Sequence, residues 1–325
     1  MTDVIVVGSF VQDHIWRLDR FPQPGETRRA AAFYSGPGGK GFNQAIACAR
    51  QGVPSAFVGA LGDDALGAAA QRFAETERLP CRWQIHADRA TATSGIFVDR
   101  DGAPMNVVQL DANEALEPAF VVAQDDLFAG AKLLLLQLEN GIEATRAALE
   151  RATRHGLLRV LNPAPVRAEA DAALLALCDV ITPNETEFAL LLDQLAGVQV
   201  AADDLARSGD AALHALARRL GVPTVVLTLG AHGCFVSHAD GAWCSDEAAC
   251  YRLAPERVEA IDATGAGDAF SGALAAAIVR FAAQPFRAAV RYANRVAALS
   301  TERVGTAPVM PRHGEVAARF MHALG

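Results

Sequence analysis

Short, uninterrupted runs of apolar residues recur along this chain, each bounded by glycine, proline or polar residues. Clear examples are residues 4–7, 57–61 and 132–138. A run that is apolar at nearly every position is typical of a strand in a parallel sheet, buried on both faces. Helical patterns follow these runs, as at residues 65–75 and 142–154. The alternation predicts an α/β fold class: a doubly wound, mostly parallel sheet with helices on both faces.

A second group of apolar runs does not follow this rhythm. Residues 15–18, 27–34, 93–98 and 105–110 are short β-type segments interrupted by polar residues. They predict a small separate β-sheet, formed by about 11–35 and 91–112, within a single domain that spans residues 1–325. The alternative is an ordinary hairpin at the edge of the main sheet.

The composition excludes several classes of function. A net charge of −8 and the lack of a run of basic residues give no reason to expect nucleic acid binding. No apolar segment reaches membrane-spanning length, and no leader pattern precedes the first strand. The six cysteines show no CxxC spacing and are expected to be free thiols in a reducing compartment, without a zinc site. We therefore expect a cytoplasmic protein.

Residues 262–274 read Asp-Ala-Thr-Gly-Ala-Gly-Asp-Ala-Phe-Ser-Gly-Ala-Leu, between a β-type run at 257–261 and a helix pattern reaching about residue 281. The glycines allow a tight turn close to a ligand, and the first amides of a helix form an anion site. Asp268 would repel an anion. Its place there makes chemical sense if it takes a proton from an alcohol while the amides hold charge on a transferring phosphoryl group. The alternative is that Asp268 only complements the positive end of its helix.

This stretch resembles the C-terminal motif of the ribokinase-like (phosphofructokinase-B type) carbohydrate kinases. Residues 38–45, Gly-Gly-Lys-Gly-Phe-Asn-Gln-Ala, are similar to that family's N-terminal motif. They are not a P-loop, because Tyr34 and Gly41 stand where that motif requires Gly and Ser or Thr. Further matches run from Gly8 to Pro308. The resemblance implies a ribokinase-like fold in which the small sheet is a lid over the sugar.

The resemblance implies ATP-dependent phosphorylation of the primary hydroxyl of a small sugar. Asp268 would act as the base, and the turn formed by Gly265, Ala266 and Gly267 would supply the anion hole, together with the amide of Asp268. Asn43 suits a vicinal diol because its amide both donates and accepts. The residues that would bind the sugar are Asp13, Gly39, Lys40, Asn43, Glu139 and Asp268.

The resemblance also implies ATP, Mg²⁺ and a monovalent cation, K⁺. Mg²⁺ prefers oxygen ligands, often through water, and Glu187 would hold it in that way. Without the resemblance, the segment around Asn184 and Glu187 predicts only a helix cap. The residues expected near the nucleotide are Asn184, Glu187, Thr228, Gly230, Gly233, Gly267 and Asn294. Those expected at the monovalent cation are Asp262, Thr264, Arg303 and Gly305, with Val309 standing where the family often has Ser.

D-Ribose, converted to D-ribose 5-phosphate, is the leading substrate that the resemblance implies. Val11 departs from the pattern, because members that phosphorylate ribose often have Asn there, and Leu110-Asp111 replace Ala-Gly. These departures leave a nucleoside, fructose or another pentose open. A non-catalytic sugar-binding sensor is disfavoured by the intact Gly-Ala-Gly-Asp, and a dehydrogenase by the lack of GxGxxG. Several family members dimerise through the lid, so a homodimer is also implied.

Overall fold

The computed structural model describes residues 2–100, 102, 104–241, 244 and 246–320. The strands in chain order are β1 Val4–Val7, β2 Val11–Arg17, β3 Ala32–Gly38, β4 Ser55–Gly62, β5 Cys81–His86, β6 Thr93–Val98, β7 Pro104–Gln109, β8 Leu133–Leu136, β9 Leu158–Leu161, β10 Val180–Ile181, β11 Thr224–Thr228, β12 Cys234–His238 and β13 Cys250–Leu253. They form two separate sheets.

The helices lie between these strands, as the alternating pattern predicts. In chain order they are α1 Lys40–Arg50, α2 Ala65–Thr76, α3 Pro118–Val122, α4 Asp125–Gly130, α5 Ile142–His155, α6 Ala172–Leu175, α7 Glu185–Ala196, α8 Ala202–Leu205, α9 Asp210–Arg218, α10 Ala266–Arg280, α11 Phe286–Ser300 and α12 His313–Phe320. Single 3₁₀ turns occur at Asp111–Asn113, Gly230–His232 and Ala307–Val309. Within this described part of the chain, no helix has both the length and the apolar character needed to cross a membrane.

The larger sheet has nine strands in the order β13-β12-β11-β10-β9-β8-β1-β4-β5. All neighbouring pairs are parallel except those of β12 with β11 and with β13. Side chains alternate between the two faces of β1: Val4 and Val6 pack into the core beneath α1, α10 and α11, whereas Ile5 and Val7 pack beneath α5 and α7. The predicted doubly wound sheet with helices on both faces is confirmed.

The smaller sheet has four strands in the order β3-β2-β6-β7. Its inner face carries Asp13 and Ser94, which are buried. Its outer face carries a row in register across all four strands, made of Phe33, Trp16, Phe97 and Met105. The separate small sheet is therefore confirmed, although two boundaries differ: its first strand begins at Val11, and the strand predicted at 27–34 lies at Ala32–Gly38.

Close helix packing at one glycine brings two distant parts of the sequence together. A Cβ at Gly272 of α10 would lie 2.3 Å from the backbone oxygen of Gln44 in α1, so only glycine permits this approach. A Cβ at Gly41 would likewise lie 2.6 Å from the Cα of Gly8. The two contacts fix the start of α1 against the end of β1 and against the first turns of α10.

The strand predicted at residues 257–261 is wrong. This segment has no regular secondary structure, and Ile261 is 66% exposed. The strand that extends the sheet here is β13, whose Tyr251 and Leu253 are buried. The amides of Ile261 and Asp262 instead donate to the carbonyl of Thr301, just after α11, at 2.7 and 3.0 Å.

Candidate active site

Asp268 lies in the first turn of α10, which begins after Gly265 in a left-handed conformation with φ of 76°. Its carboxylate is buried and turns toward α1, where Oδ2 accepts from Asn43 Nδ2 and Oδ1 from Gln44 Nε2, both at 2.9 Å. The interpretation that Asp268 only complements its own helix end is therefore insufficient. Two side chains of another helix hold its carboxylate.

The turn before Asp268 leaves fewer free amides than the motif predicts. The amide of Ala266 donates to the carbonyl of Ala263 at 3.1 Å. The amides of Gly267 and Asp268 form no hydrogen bond within the described part of the chain, and Gly267 is exposed. The free donors at this helix end are thus the amides of Gly267 and Asp268, whereas the amide of Ala266, also expected at the anion hole, already has a partner.

Asp13 lies on the inner face of the small sheet. Its carboxylate accepts hydrogen bonds from Ser94 Oγ at 2.6 Å and from Thr306 Oγ1 at 3.1 Å. Burial raises the pKa of Asp13 to about 6, against the opposing effect of these two donors. A Cβ at Gly38 would overlap the Asp13 carboxylate, so this glycine makes room for the acid. Asp13 is charged at neutral pH but close to its titration range.

Glu139 follows β8 at the carboxyl end of the main sheet, where α/β folds place ligands. One of its oxygens accepts from Ser9 Oγ at 2.6 Å and from the amide of Lys40 at 2.9 Å. Burial raises the pKa of Glu139, although the positive charge of Lys40 acts in the other direction. The prediction of a ligand-facing acid, rather than a solvated one, is consistent with this burial.

Lys40 stands at the start of α1 among several acids. Burial lowers the pKa of Lys40, but the charges of Asp268 and Glu139 outweigh it and leave the pKa raised. Glu187 and Asp13 act in the same direction. The lysine is therefore a charged group held between the acids of the site.

Asn43 has one buried atom with no partner. Its Nδ2 donates to Asp268, whereas its Oδ1 accepts no hydrogen bond from the described residues. The side chain is 3% exposed. A buried acceptor without a donor is costly, and such an atom is usually paired by water or by a bound molecule. Asn43 thus offers an acceptor to a donor group beside Asp268.

The residues predicted for the nucleotide lie at the carboxyl edge of the neighbouring strands. Asn184 and Glu187 form a capping box at the start of α7, with Glu187 Oε2 and Oε1 accepting from Asn184 N and Nδ2 at 2.9 and 3.0 Å. Burial raises the pKa of Glu187. The helix-cap interpretation is confirmed, and it leaves lone pairs free on both carboxylate oxygens.

Thr228 ends the adjacent strand β11, and its hydroxyl donates to the carbonyl of Pro183 at 3.3 Å. Gly230 and Gly233 follow in a turn with φ of 49° and 83°. A Cβ at Gly233 would lie 2.1 Å from the carbonyl oxygen of Leu253, so close packing alone explains why this position is glycine. Asn294 on α11 donates to the carbonyl of Ala254 at 2.9 Å and thereby ties the segment after β13 to the helix.

The residues predicted for a monovalent cation meet at Asp262. Its carboxylate accepts from the amide of Thr264 at 2.9 Å and from the amide of Gly305 at 3.3 Å. The Arg303 side chain turns away and pairs with Glu315 at 2.5 Å. Its guanidinium is therefore not part of a cation site, and only its backbone remains available for that role.

Sequence reasoning missed several residues that bond to the acids of the site, and these are Ser9, Gln44, Ser94 and Thr306. Gln44 lies inside the motif at residues 38–45, and Ser9 directly follows Gly8, where the family matches begin. Thr306 is 293 residues from Asp13, and no local pattern indicates that contact.

One cluster elsewhere has metal-ligand chemistry: His238, Cys244 and Asp246 lie within reach of one ion. The sulfur of Cys244 is 3.3 and 3.7 Å from the two ring nitrogens of His238, which places it over the face of the ring. An imidazole binds metal in the plane of the ring, so this arrangement does not fit a zinc ion without a movement of Cys244.

Comparison with known proteins gives consistent matches over nearly the whole chain. A model of the family described as pfkB family carbohydrate kinase matches residues 1–312. The ribokinase of Haemophilus influenzae is 33% identical over 323 residues, covering 98% of each chain. The ribokinase of Mus musculus is 32% identical, covering 95% of this chain and 91% of its own. The deoxyribokinase of Salmonella typhimurium is 31% identical, covering 95% of each.

Solved structures give the same result. The structure of ribokinase from Giardia lamblia superposes with a TM-score of 0.87 at 27% identity, covering 99% of both chains. The Arabidopsis thaliana ribokinase complexed with ribose and ATP superposes with a TM-score of 0.80 at 25% identity, covering 98% of both. Both likenesses extend over the main sheet and the small sheet.

Proposed function

The chain belongs to the pfkB family of carbohydrate kinases, and we propose that it transfers the γ-phosphoryl group of ATP to the primary hydroxyl of D-ribose. Membership makes the protein a phosphotransferase with an alcohol group as acceptor. The family, the ribokinase-like fold and the enzyme class expected from the sequence are thereby confirmed. The substrate and the roles of individual residues are our proposal.

The observation that supports the proposal most directly is the pair formed by Asp268 and Asn43. Asp268 is a buried base beside two free amides, and Asn43 presents an unpartnered acceptor next to it. A hydroxylated molecule bound here would satisfy Asn43 and place another hydroxyl near the carboxylate. A binding protein without catalysis has no need for a buried base beside an anion site.

In the proposed reaction, Asp268 accepts the proton of the primary hydroxyl. The sugar oxygen forms a bond to the γ-phosphorus, and the bond from that phosphorus to the β,γ-bridging oxygen breaks, releasing ADP. The free amides of Gly267 and Asp268 face the charge that develops on the transferring group. Positioning and electrostatics supply most of the catalysis in reactions of this type.

Asp13, Glu139 and Lys40 would bind the remaining hydroxyls of the sugar. The two carboxylates are acceptors, and the lysine between them is a donor. Lys40 also keeps the net charge of this acid-rich site from repelling a triphosphate. Gly39, in a left-handed conformation with φ of 86°, lies so close to Val11 that a side chain there would collide with its backbone.

Glu187 and Asp262 offer oxygen ligands for the two cations that the family implies. The carboxylate oxygens of Glu187 keep free lone pairs for waters of a Mg²⁺ ion, which when bound would neutralise phosphate charge. Asp262 joins the loops of Thr264 and Gly305 through their amides, and its carboxylate together with backbone carbonyls of these loops would make an all-oxygen set for K⁺. Val309 offers no side-chain oxygen to this set.

We also propose that the small sheet is a lid of a single domain spanning residues 1–325, and that two lids form a homodimer contact. Asp13 and Ser94 on its inner face support the first idea. The second is supported by the outer row: Phe33 is 53% and Met105 is 42% exposed, beside Trp16 and Phe97. An apolar row of this kind is typical of an interface.

A different pentose is the alternative that a specific observation favours. Val11 precedes Asp13 by two residues on β2, so both side chains lie on the sugar-facing side of the strand. Val11 cannot hydrogen-bond a hydroxyl, and a deoxyribokinase is among the relatives. The carboxylate of Asp111, by contrast, accepts a hydrogen bond from the amide of Ala90 at 3.0 Å, and this contact gives Asp111 a structural role.

The test is coupled ADP release from MgATP and potassium with ribose, 2-deoxyribose, fructose, adenosine, inosine and uridine. A kcat/KM highest for ribose supports the proposal. A preference for 2-deoxyribose or a nucleoside would change the assigned substrate and leave the proposed mechanism unchanged. No turnover of any of these compounds, with ribose bound, would identify a sensor instead.

A further inference from the structure

Gln44, which directly follows Asn43 on α1, forms three hydrogen bonds through its fully buried side-chain amide. Its Nε2 donates to Asp268 Oδ1 at 2.9 Å and to Asn162 Oδ1 at 3.0 Å. Its Oε1 accepts from Gln137 Nε2 at 2.5 Å. Both N–H groups of the amide therefore donate hydrogen bonds, and one of these bonds goes to the carboxylate of Asp268.

A backbone carbonyl fixes the direction of this chain of amides. Asn162 Nδ2 donates to the carbonyl oxygen of Thr182 at 2.9 Å, and a carbonyl can only accept. Asn162 must therefore present its oxygen to Gln44, which must in turn present its N–H groups. A flipped Gln44 would place its oxygen against those of Asn162 and Asp268 and leave buried acceptors without protons.

The packing around the amides explains why they are held so firmly. A Cβ at Gly8 would lie 2.2 Å from Gln137 Oε1, so the glycine leaves the space that the Gln137 side chain fills. Gly272 of α10 packs on the backbone of Gln44 itself. The amide of Gln44 is thus fixed by its backbone, by Gln137 and by Asn162.

We propose that Gln44 is a positioning residue for Asp268, held in one orientation by Gln137 and Asn162. We call these three side chains the amide relay. The inference rests on the proposed function, in which Asp268 takes the proton of the sugar. Asn43 also holds Asp268, but it faces the substrate as well. Gln44 is the anchor whose partners lie entirely within the protein.

The relay has two consequences for catalysis. It fixes the rotamer of Asp268, and a misplacement of about 1 Å at a reacting group lowers turnover roughly 100-fold. It also donates a hydrogen bond to Asp268 Oδ1, so that this buried acceptor is not left without a donor.

The test replaces Gln44 in the full chain and measures ADP release from MgATP and sugar between pH 5 and 9. We expect Gln44→Leu to lower kcat roughly 10- to 100-fold with little change in the KM for sugar. The loss should fall on kcat because the hydrogen bonds of Gln44 go to Asp268, Asn162 and Gln137 and leave sugar binding to other residues. Gln44→Glu should lower kcat more than Gln44→Leu does, and Gln137→Met should lower it less.

Gln51→Leu is the matched control. Gln51 is equally buried and directly follows the last residue of α1, but its amide donates to the carbonyls of Ala47 and Pro311. This variant should be destabilised and keep the wild-type kcat. A Gln44→Leu enzyme with no greater loss of kcat than Gln51→Leu would overturn the amide relay and leave the kinase assignment intact.

The proposed kinase function and the amide relay are tested by different outcomes. A wild-type protein that binds sugar but releases no ADP would overturn the proposed function, and the inference with it. If Gln44→Leu does not fold, as judged by its thermal unfolding, Gln137→Met decides by the same readouts. A folded Gln137→Met enzyme with full kcat would contradict the relay.

Discussion

The side-chain amide of Asn43 donates a 2.9 Å hydrogen bond to Asp268, 225 residues further along the chain. The bond joins the two motifs on which the family resemblance depended. It also places an unpartnered acceptor and a candidate base within one contact of each other.

Replacing Asp268 with Asn should lower kcat by roughly 10²- to 10⁴-fold, the range expected for loss of a general base. The substitution keeps the size of the side chain, so sugar binding measured by calorimetry should persist. Asp204→Asn, on the surface of α8, is the control and should have wild-type turnover. Near-normal turnover by the Asp268→Asn enzyme would remove this residue from the mechanism.

The KM for sugar should rise as the pH falls below about 6. Burial raises the pKa of Asp13 to about 6, and only the charged form offers both oxygens to hydroxyl groups. The measurement is the KM of the wild-type enzyme between pH 5 and 8. A KM that is flat through this range would show that Asp13 does not bind the sugar in its charged form.

Asp13→Asn should stabilise the fold at pH 8 while weakening sugar binding. The pKa of Asp13 is higher in the folded protein than in the unfolded chain, so its ionisation destabilises the folded state. This penalty is absent below about pH 4, grows between pH 4 and 6 and is constant above pH 6, at no more than roughly 3 kcal/mol. Thermal unfolding of both proteins at pH 4 and pH 8 checks the sign. A gain in Tm at pH 4 alone would contradict it.

Potassium should raise turnover several-fold over tetramethylammonium, which is too large for a loop site. Asp262→Ala should bring the ratio of the two rates close to one, because it removes the carboxylate that joins the Thr264 and Gly305 loops. Asp204→Ala should keep the ratio of the wild-type enzyme. Equal wild-type rates in the two cations would rule out activation at this site.

Phe33→Asp should convert a dimer into a monomer in sedimentation velocity experiments. The substitution places a charge at the β3 end of the outer row, where burial against a second lid would be costly. Leu190→Asp is the control, because Leu190 is also exposed, at 49%, but lies on α7. A wild-type protein that sediments as a monomer would refute the lid contact directly.

Val11→Asn should raise the ratio of kcat/KM for ribose over 2-deoxyribose by about tenfold, the effect of one added hydrogen bond to a hydroxyl. The amide would face the sugar beside Asp13, where valine now offers only methyl groups. Val11→Leu should leave the ratio unchanged or lower it. An unchanged ratio in the Asn variant would show that position 11 does not contact the 2-hydroxyl.

The main sheet could be predicted because its strands are buried on both faces. Residues Leu133–Leu136 are all fully buried. A short run that is apolar at every position is typical of a central strand covered on both faces. The small sheet was harder, because its strands are half exposed. The strand Ala32–Gly38 contains Gly36, Pro37 and Gly38, which suggest a loop. It forms at the sheet edge because β2 offers pairing partners along its whole length.

The site was predictable only where its residues stand inside a motif. Asp268 and Asn43 do so, but their mutual contact depends on how closely two helices pack. Thr306 reaches Asp13 across the fold, and a threonine after a glycine gives no hint of this. The motif predicted three amides at the anion hole, and the sequence could not show that one of them, that of Ala266, donates to Ala263.

The contact of Gly272 with the backbone of Gln44 has a consequence for how the protein is made. Helix α1 leaves the ribosome long before α10 is synthesised, and domains fold as their parts become available. Until α10 docks, Asn43 and Gln44 have no carboxylate to bind. Pairings of such large sequence separation are slow to form. Catalytic competence should therefore arise at the last step of folding, and any fragment that lacks α10 should be inactive even where its sheet is complete.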